Sequence, residues 1–209
     1  MEVELLAATP EAEKLLEGAG RTCYMSQERI SGGSASKFIR MLISRGHLSV
    51  LEHAYATFRI SGISRAATHQ LVRHRLCSFS QKSQRYVKEH DAAFVVPPSI
   101  KADREAMRVF ERSVADSKDT YNRLIDLGIP KEDARFVLPN AASSEIVMSA
   151  NFRELRHIIL TRGSKHAQWE VRDLAVRMLE LMKKEAPNVF FDLEVTEEHA
   201  VERRRAGES

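Results

Sequence analysis

The hydrophobic pattern of this chain predicts an α+β, or mixed α/β, fold. Helical patterns outnumber strand patterns, the two kinds are interspersed, and no repeat, low-complexity tract or Pro/Gly/Ser-rich linker divides the sequence. The 209 residues read as one domain, 1–209, with a polar tail from about residue 200. Glu2 to Leu6 alternates apolar and polar side chains and reads as a short strand. Thr9 and Pro10 supply an N-cap and a proline at the first helical position, opening a helix to about Gly18. Ser34 caps a second helix, which carries Phe38, Ile39, Leu42 and Ile43 to a stop at Gly46. His53 to Ser61 alternates in aromatic and β-branched residues, a strand pattern, and a helical stretch follows from Ser64.

From Arg75 to Lys88 there is no clean period, and a loop is expected. Pro97 and Pro98 punctuate the chain before a long charged helix from about Ser99 to Leu127, ended by Gly128. Pro130 starts a short helix that stops before Pro139. Ser143 to Asn151 reads as a strand, with Val147 and Ser149 on one face and Ile146 and Met148 on the other. Asn151 caps the next helix, closed by Gly163, and a last helix spans about His166 to Lys184. The final ERRRAGES is polar and expected to fray.

Composition excludes several classes. With 43% hydrophobic and 29% charged residues, the chain is neither collagen-like nor disordered, and two cysteines make no disulfide framework. No run approaches the roughly 20 apolar residues that cross a bilayer. The acidic start lacks the basic flank of a secretory signal, and a reducing cytoplasm is expected. The charge is nearly balanced, 32 Lys+Arg against 29 Asp+Glu, but 22 of the cations are Arg. Arginine suits planar, bidentate contact with phosphate or carboxylate. Between His53 and Lys88 there is no acid, yet Arg59, Arg65, Arg73, Arg75, Lys82, Arg85 and Lys88 all fall there, so an anion is the expected partner.

The segment RHRLCSFSQKSQRY, Arg73 to Tyr86, concentrates the chemistry. Arg73 and Arg75 share a face in an extended stretch, while His74 faces the other way. Ser78, Ser80, Gln81, Ser83, Gln84 and Tyr86 follow within nine residues, and such a set of hydroxyls and amides suits an anion held by many hydrogen bonds. A merely soluble loop needs charge rather than convergent donors.

This block resembles the signature of the flavin-dependent thymidylate synthases: Arg73, His74 and Arg75, seven residues, then Ser83, followed by Arg85 and Tyr86. GHLSVLEHA upstream, GIPKEDARFVLP in the middle and NFRELRHIILTRGSKHAQWEVR downstream are similar to that family's other blocks, in its order, over about residues 40–180. Ser80 and Gln81 stand where the strictest signature has Asn-Glu, so a carboxylate near the flavin is replaced by an amide. The resemblance implies a single domain with a mostly antiparallel sheet flanked by helices. It implies reductive methylation of dUMP to dTMP, with methylenetetrahydrofolate as carbon donor and NADPH-reduced FAD as hydride source, in a cytoplasmic homotetramer with sites at subunit interfaces.

By matching positions, the resemblance places Ser49, Glu52, Arg73, His74, Arg75, Leu76, Gln81, Asn151, Arg153, His157 and His166 at FAD. It places Gln70, Ser83, Arg85 and Arg135 at dUMP, the arginines through phosphate, and Arg162 against the pyrimidine as the residue most directly tied to chemistry. A cation there stabilises charge that builds up as C5 becomes nucleophilic. Cys77 matches a variable position and is not assigned as a nucleophile, although its cationic neighbours are expected to lower its pKa.

Plainer readings stand beside these. Arg153 and Arg162 read equally as exposed helix residues, His157 as a boundary histidine, Trp169 as core, and Glu52 as a local partner of His47 or Arg45. No metal site is expected, because His47, His53, His69 and His74 show no i, i+4 pair and no carboxylate or cysteine clusters around them. A nucleic-acid module is disfavoured because only Phe79 and Tyr86 interleave the cations. Another flavin or nucleotide oxidoreductase would share the cofactor but not methylate dUMP.

Overall fold

The computed structural model describes residues 1–204. In chain order the elements are β1 (Glu2–Ala8), α1 (Ala12–Thr22), α2 (Ser34–Ser44), β2 (Tyr55–Ser64), α3 (Arg65–Leu71), β3 (Ser78–Gln81), α4 (Pro98–Lys101) and α5 (Arg104–Asp126). They continue with α6 (Lys131–Ala134), β4 (Ser143–Asn151), α7 (Phe152–Gly163), α8 (Trp169–Glu185), β5 (Leu193–Val195) and β6 (Val201–Arg203). Four strands form a sheet in the order β1-β2-β4-β3, and β5 pairs with β6 in an antiparallel hairpin. The larger sheet is antiparallel as well. Thr9, after β1, donates its N–H to Tyr55 at the start of β2, Phe152, after β4, donates to Ala54 before β2, and Lys82, after β3, donates to Glu145 near the start of β4.

Several expected elements hold because their local chemistry is explicit. Gly46 and Gly128 take φ of +75° and +83°, and His47 N–H bonds Leu42 C=O while Ile129 N–H bonds Leu124 C=O, so both helices end in left-handed glycine caps. Ser64 Oγ accepts from the Ala67 N–H at 3.0 Å and starts α3. In β4, Ser144, Ile146, Met148 and Ala150 are buried and their neighbours are not, as the alternation predicts.

Other expectations are corrected. Helix α1 begins at Ala12, not Pro10, because the Thr9 hydroxyl accepts from the Tyr55 N–H at 2.9 Å and so serves the sheet, leaving Glu11 as the left-handed N-cap. It also runs past Gly18 to Thr22. The first residue of α2 is Ser34, and Gly33 is its N-cap. Part of the expected loop is the strand β3, whose polar residues hid the period: Phe79 and Gln81 are half-buried, Ser78 and Ser80 exposed. The long helix is broken at Asp103, whose carboxylate accepts from the N–H groups of Glu105 (2.9 Å) and Ala106 (2.8 Å) and opens α5. Gln168 similarly caps α8 and delays it to Trp169. Val201–Arg203 pairs as β6 instead of fraying, and residues 205–209 of the polar tail lie outside the described residues.

The chain forms two compact units. Among the described residues, one comprises 1–2, 60–70 and 80–146; the other comprises 3–59, 71–79 and 147–204. In the first, Ile60, Ile63, Ala67, Tyr121, Ala134 and Ile146 are buried, and the Tyr121 hydroxyl accepts from the Glu89 N–H. In the second, α1 packs on α2 and α7 on α8. Gly20 gives the ring of Phe38 room, since a Cβ there would stand 2.7 Å from it. Phe152 meets Phe190 edge to face, and buried Arg156 holds Asp192 through two 2.7 Å bonds.

Candidate active site

The second unit holds a cavity of about 570 Å³ around the start of α7. The Asn151 side chain caps that helix by accepting from the Glu154 N–H at 2.8 Å, so the orientation of everything on its first turns is fixed. Arg153 and His157 stand one turn apart on α7 and both line the cavity, as the i, i+4 spacing predicts. Glu52 and Leu76 join them from distant stretches. Arg153 pairs with Glu52 at 2.5 Å, which replaces the local pairing of Glu52 with His47 or Arg45. The pair bridges two segments 101 residues apart. Leu76 is strongly exposed and gives the cavity an apolar wall together with Leu48 and Leu160.

Beside the cavity lies a buried polar chain. His74 and Glu154 are each 7% exposed, and His74 Nδ1 meets the Glu154 carboxylate at 3.1 Å. On the opposite ring nitrogen, Nε2 accepts from Arg162 Nε–H at 3.0 Å. The His157 ring approaches His74 edge to face at 5.6 Å. Burial holds the His74 imidazole below its usual range; the Glu154 hydrogen bond opposes that and Arg162 adds to it. The expectation that no carboxylate clusters around these histidines is therefore corrected: His74, Glu154 and His157 bring ligand-type atoms within 4.8 Å of one another. Sequence spacing missed the group because Glu154 lies 80 residues from His74. Both nitrogens of His74 are engaged, one of them by a guanidinium, which does not suit a cation.

Arg73 and Arg75 flank buried His74 and are both exposed, but the stretch turns instead of extending. Val72 and Leu76 are exposed too, and the N–H groups of His74 and Cys77 bond the carbonyls of Leu71 and His74, so strand-like alternation does not hold here. Ser49 and His166 are also exposed, and none of Arg73, Arg75, Ser49 and His166 lines the cavity. Cys77 departs from expectation. Burial, and then the negative charge of Glu154, push its thiol up to about 12 instead of the cationic neighbours lowering it.

The first unit gathers a second set. Glu132 collects two arginines: Arg85 Nε donates to its carboxylate at 2.6 Å, and Arg135 Nε to its carbonyl at 3.0 Å. Arg65, half-buried, feels Arg135; burial first and that like charge second hold its guanidinium below its usual value, with Glu89 opposing. Sequence reading counted Arg65 among the cations but assigned it no site; its place in the acid-free run was the available signal. Ser83 Oγ accepts from the Arg85 N–H at 3.2 Å, and Gln70, half-buried, closes α3 one position before Leu71. Gln81 belongs to this unit, where its amide donates to Thr68 Oγ1 (3.0 Å) and Ser144 Oγ (3.1 Å). Three arginines near one another, with carboxylates on only part of the cluster, suit a dianionic phosphate.

Residues 4–188 match the family model described as thymidylate synthase complementing protein. The chain is 48% identical to the flavin-dependent thymidylate synthase of Geobacter sulfurreducens over 92% of this chain and 86% of that protein. It is 42% identical to that of Mycolicibacterium gilvum over 87% of this chain and 80% of that one. Among solved structures, the flavin-dependent thymidylate synthase of Helicobacter pylori complexed with FAD and dUMP superposes with a TM-score of 0.76 at 27% identity, covering 92% of this chain and 99% of that one. The UMP/dUMP methylase PolB from Streptomyces cacaoi, bound with 5-Br dUMP, gives a TM-score of 0.83 at 26% identity, covering 91% and 93%.

Proposed function

The chain belongs to the flavin-dependent thymidylate synthase family, and we propose that its cavity around the start of α7 holds the flavin while the arginines gathered at Glu132 take the phosphate of dUMP. It is an FAD-dependent methyltransferase that converts dUMP to dTMP. One observation carries the site assignment: Glu52, Leu76 and the Asn151, Arg153 and His157 group come from three separated stretches and line a single cavity.

That cavity fits a flavin in its chemistry. Its volume is that of an ordinary ligand site, its apolar wall suits a ring system, and the start of α7 with Arg153 suits a phosphate. Bound FAD supplies the hydride chemistry, and the protein supplies placement and charge. Glu52 holds Arg153 in place, and exposed Arg73 and Arg75 extend the cationic surface toward the pyrophosphate. Ser49, Gln81 and His166 complete the cofactor set by position.

Gln70, Ser83, Arg85 and Arg135 bind dUMP, with Arg65 adding charge beside Arg135. Arg162 contacts the pyrimidine, where a fixed cation stabilises the charge that develops as C5 becomes nucleophilic. No cysteine attacks the ring. A thiol near 12 leaves Cys77 as thiolate in only about one molecule in 10⁵ at neutral pH. Methylenetetrahydrofolate and NADPH are the co-substrates, and the working form is a cytoplasmic homotetramer. The exposed Met25, Tyr86 and Phe136 side chains support burial against further copies.

Tritium release from C5-labelled dUMP tests the reaction, in protein that absorbs in the visible once FAD is added. Release that requires both folate and NADPH is expected. Colourless protein and no release under any combination would overturn the reading.

A further inference from the structure

We propose that Glu154 is a positioning residue for the methylation reaction: it holds His74 as the Nδ1–H tautomer, so that Nε2 accepts from Arg162 and sets the plane of that guanidinium. The proposal rests on the assignment of Arg162 to the pyrimidine.

The proton count follows from the donors. Arg162 Nε carries a hydrogen at neutral pH, so the nitrogen it meets at 3.0 Å must present a lone pair. His74 Nε2 is therefore unprotonated, and a neutral ring has its proton on Nδ1, directed at Glu154 Oε1 3.1 Å away. Burial favours this neutral ring. The three groups then read carboxylate, imidazole, guanidinium, with one negative and one positive charge at the ends and every ring nitrogen used. The logic is that by which a buried carboxylate orients a catalytic histidine or a metal ligand.

A helix-capping role does not account for Glu154. It is the third residue after the Asn151 cap, where a capping-box glutamate turns back to the N-cap N–H. Here Oε1 meets His74 instead, across 80 residues of sequence, in a position only 7% exposed. Burying a carboxylate costs free energy that an exposed first-turn acid avoids. Without Glu154, the ring can carry its proton on Nε2, where it faces the Arg162 N–H donor to donor.

The experiment is a double-mutant cycle on dUMP affinity, measured by calorimetry on FAD-loaded protein whose visible spectrum confirms the cofactor. Glu154→Ala should weaken dUMP binding about tenfold, the usual loss for a hydrogen bond to a charged group, in wild-type background. In an Arg162→Ala background the same change should cost less than about twofold, because the group it positions is gone. Glu154→Gln, whose amide oxygen can still accept from Nδ1–H, should recover most of the affinity. Equal losses in both backgrounds would overturn the proposal, as would a Gln variant no better than Ala. If the Ala variants do not load FAD, a cycle with Glu154→Gln decides by the same criterion of non-additivity. A wild-type holoprotein that fails to bind dUMP removes the site assignment itself, which a normal wild-type affinity with additive variants does not.

Discussion

At Cys77 the chemistry is set by burial and by the Glu154 carboxylate, which together hold the thiol protonated at neutral pH. Cys77→Ala should accordingly keep methylation within about twofold of wild type, and iodoacetamide at pH 8 should label exposed Cys23 well before Cys77. Turnover lost with FAD still bound would put Cys77 in the reaction. The same contrast explains what single residues disclose. Arg73 and Arg75 are legible as exposed cations from their charge, whereas the turns that bury His74 between them are not. The partner of His74 was not legible, since nothing local ties it to Glu154. Glu52 shows the limit well: its near neighbours in sequence include His47 and Arg45, but Arg153 reaches it first in space.

Helix α7 delivers much of the site from one rigid element. Its cap is Asn151, its first turns carry Arg153, Glu154 and His157, and its last turn carries Arg162. This helix was readable because cap, apolar period and terminal glycine agree. Its end is also tightly packed: a Cβ on Gly163 would stand 2.6 Å from Val201 of β6. Gly163→Ala should therefore destabilise the protein by about 1–3 kcal/mol, with a fall of several degrees in Tm by thermal denaturation. An unchanged Tm would mean that β6 yields without cost. The elements that escaped reading share a cause. Strand β3 is mostly polar, β5 and β6 are three residues each, and Asp103 breaks a helix whose hydrophobic period continues across it. Each depends on partners or on a cap that outweighs the local pattern.

For the whole molecule, the proposed substrate residues fall into both compact units, with Arg135 in one and Arg162 in the other. A homotetramer with shared sites makes a specific demand. Co-expressed Arg135→Ala and Arg162→Ala chains, each inactive alone, should regain about a quarter of the wild-type tritium-release rate if the two arginines of a site come from different subunits. No recovery in tetramers shown to be mixed would place both arginines of each site on one chain. What the amino-acid sequence determined by itself was the type and order of the longer elements, the caps at Gly46, Gly128 and Asn151, the acid-free basic run and the blocks that carry the family, because these depend on neighbours three or four residues away. Tertiary structure alone decided that Glu154 lies against His74, that Cys77 is a half-buried, protonated thiol, and that Arg65 feels the like charge of Arg135. Those outcomes depend on burial and on charges brought together over tens of residues, and both come into being only when the chain folds.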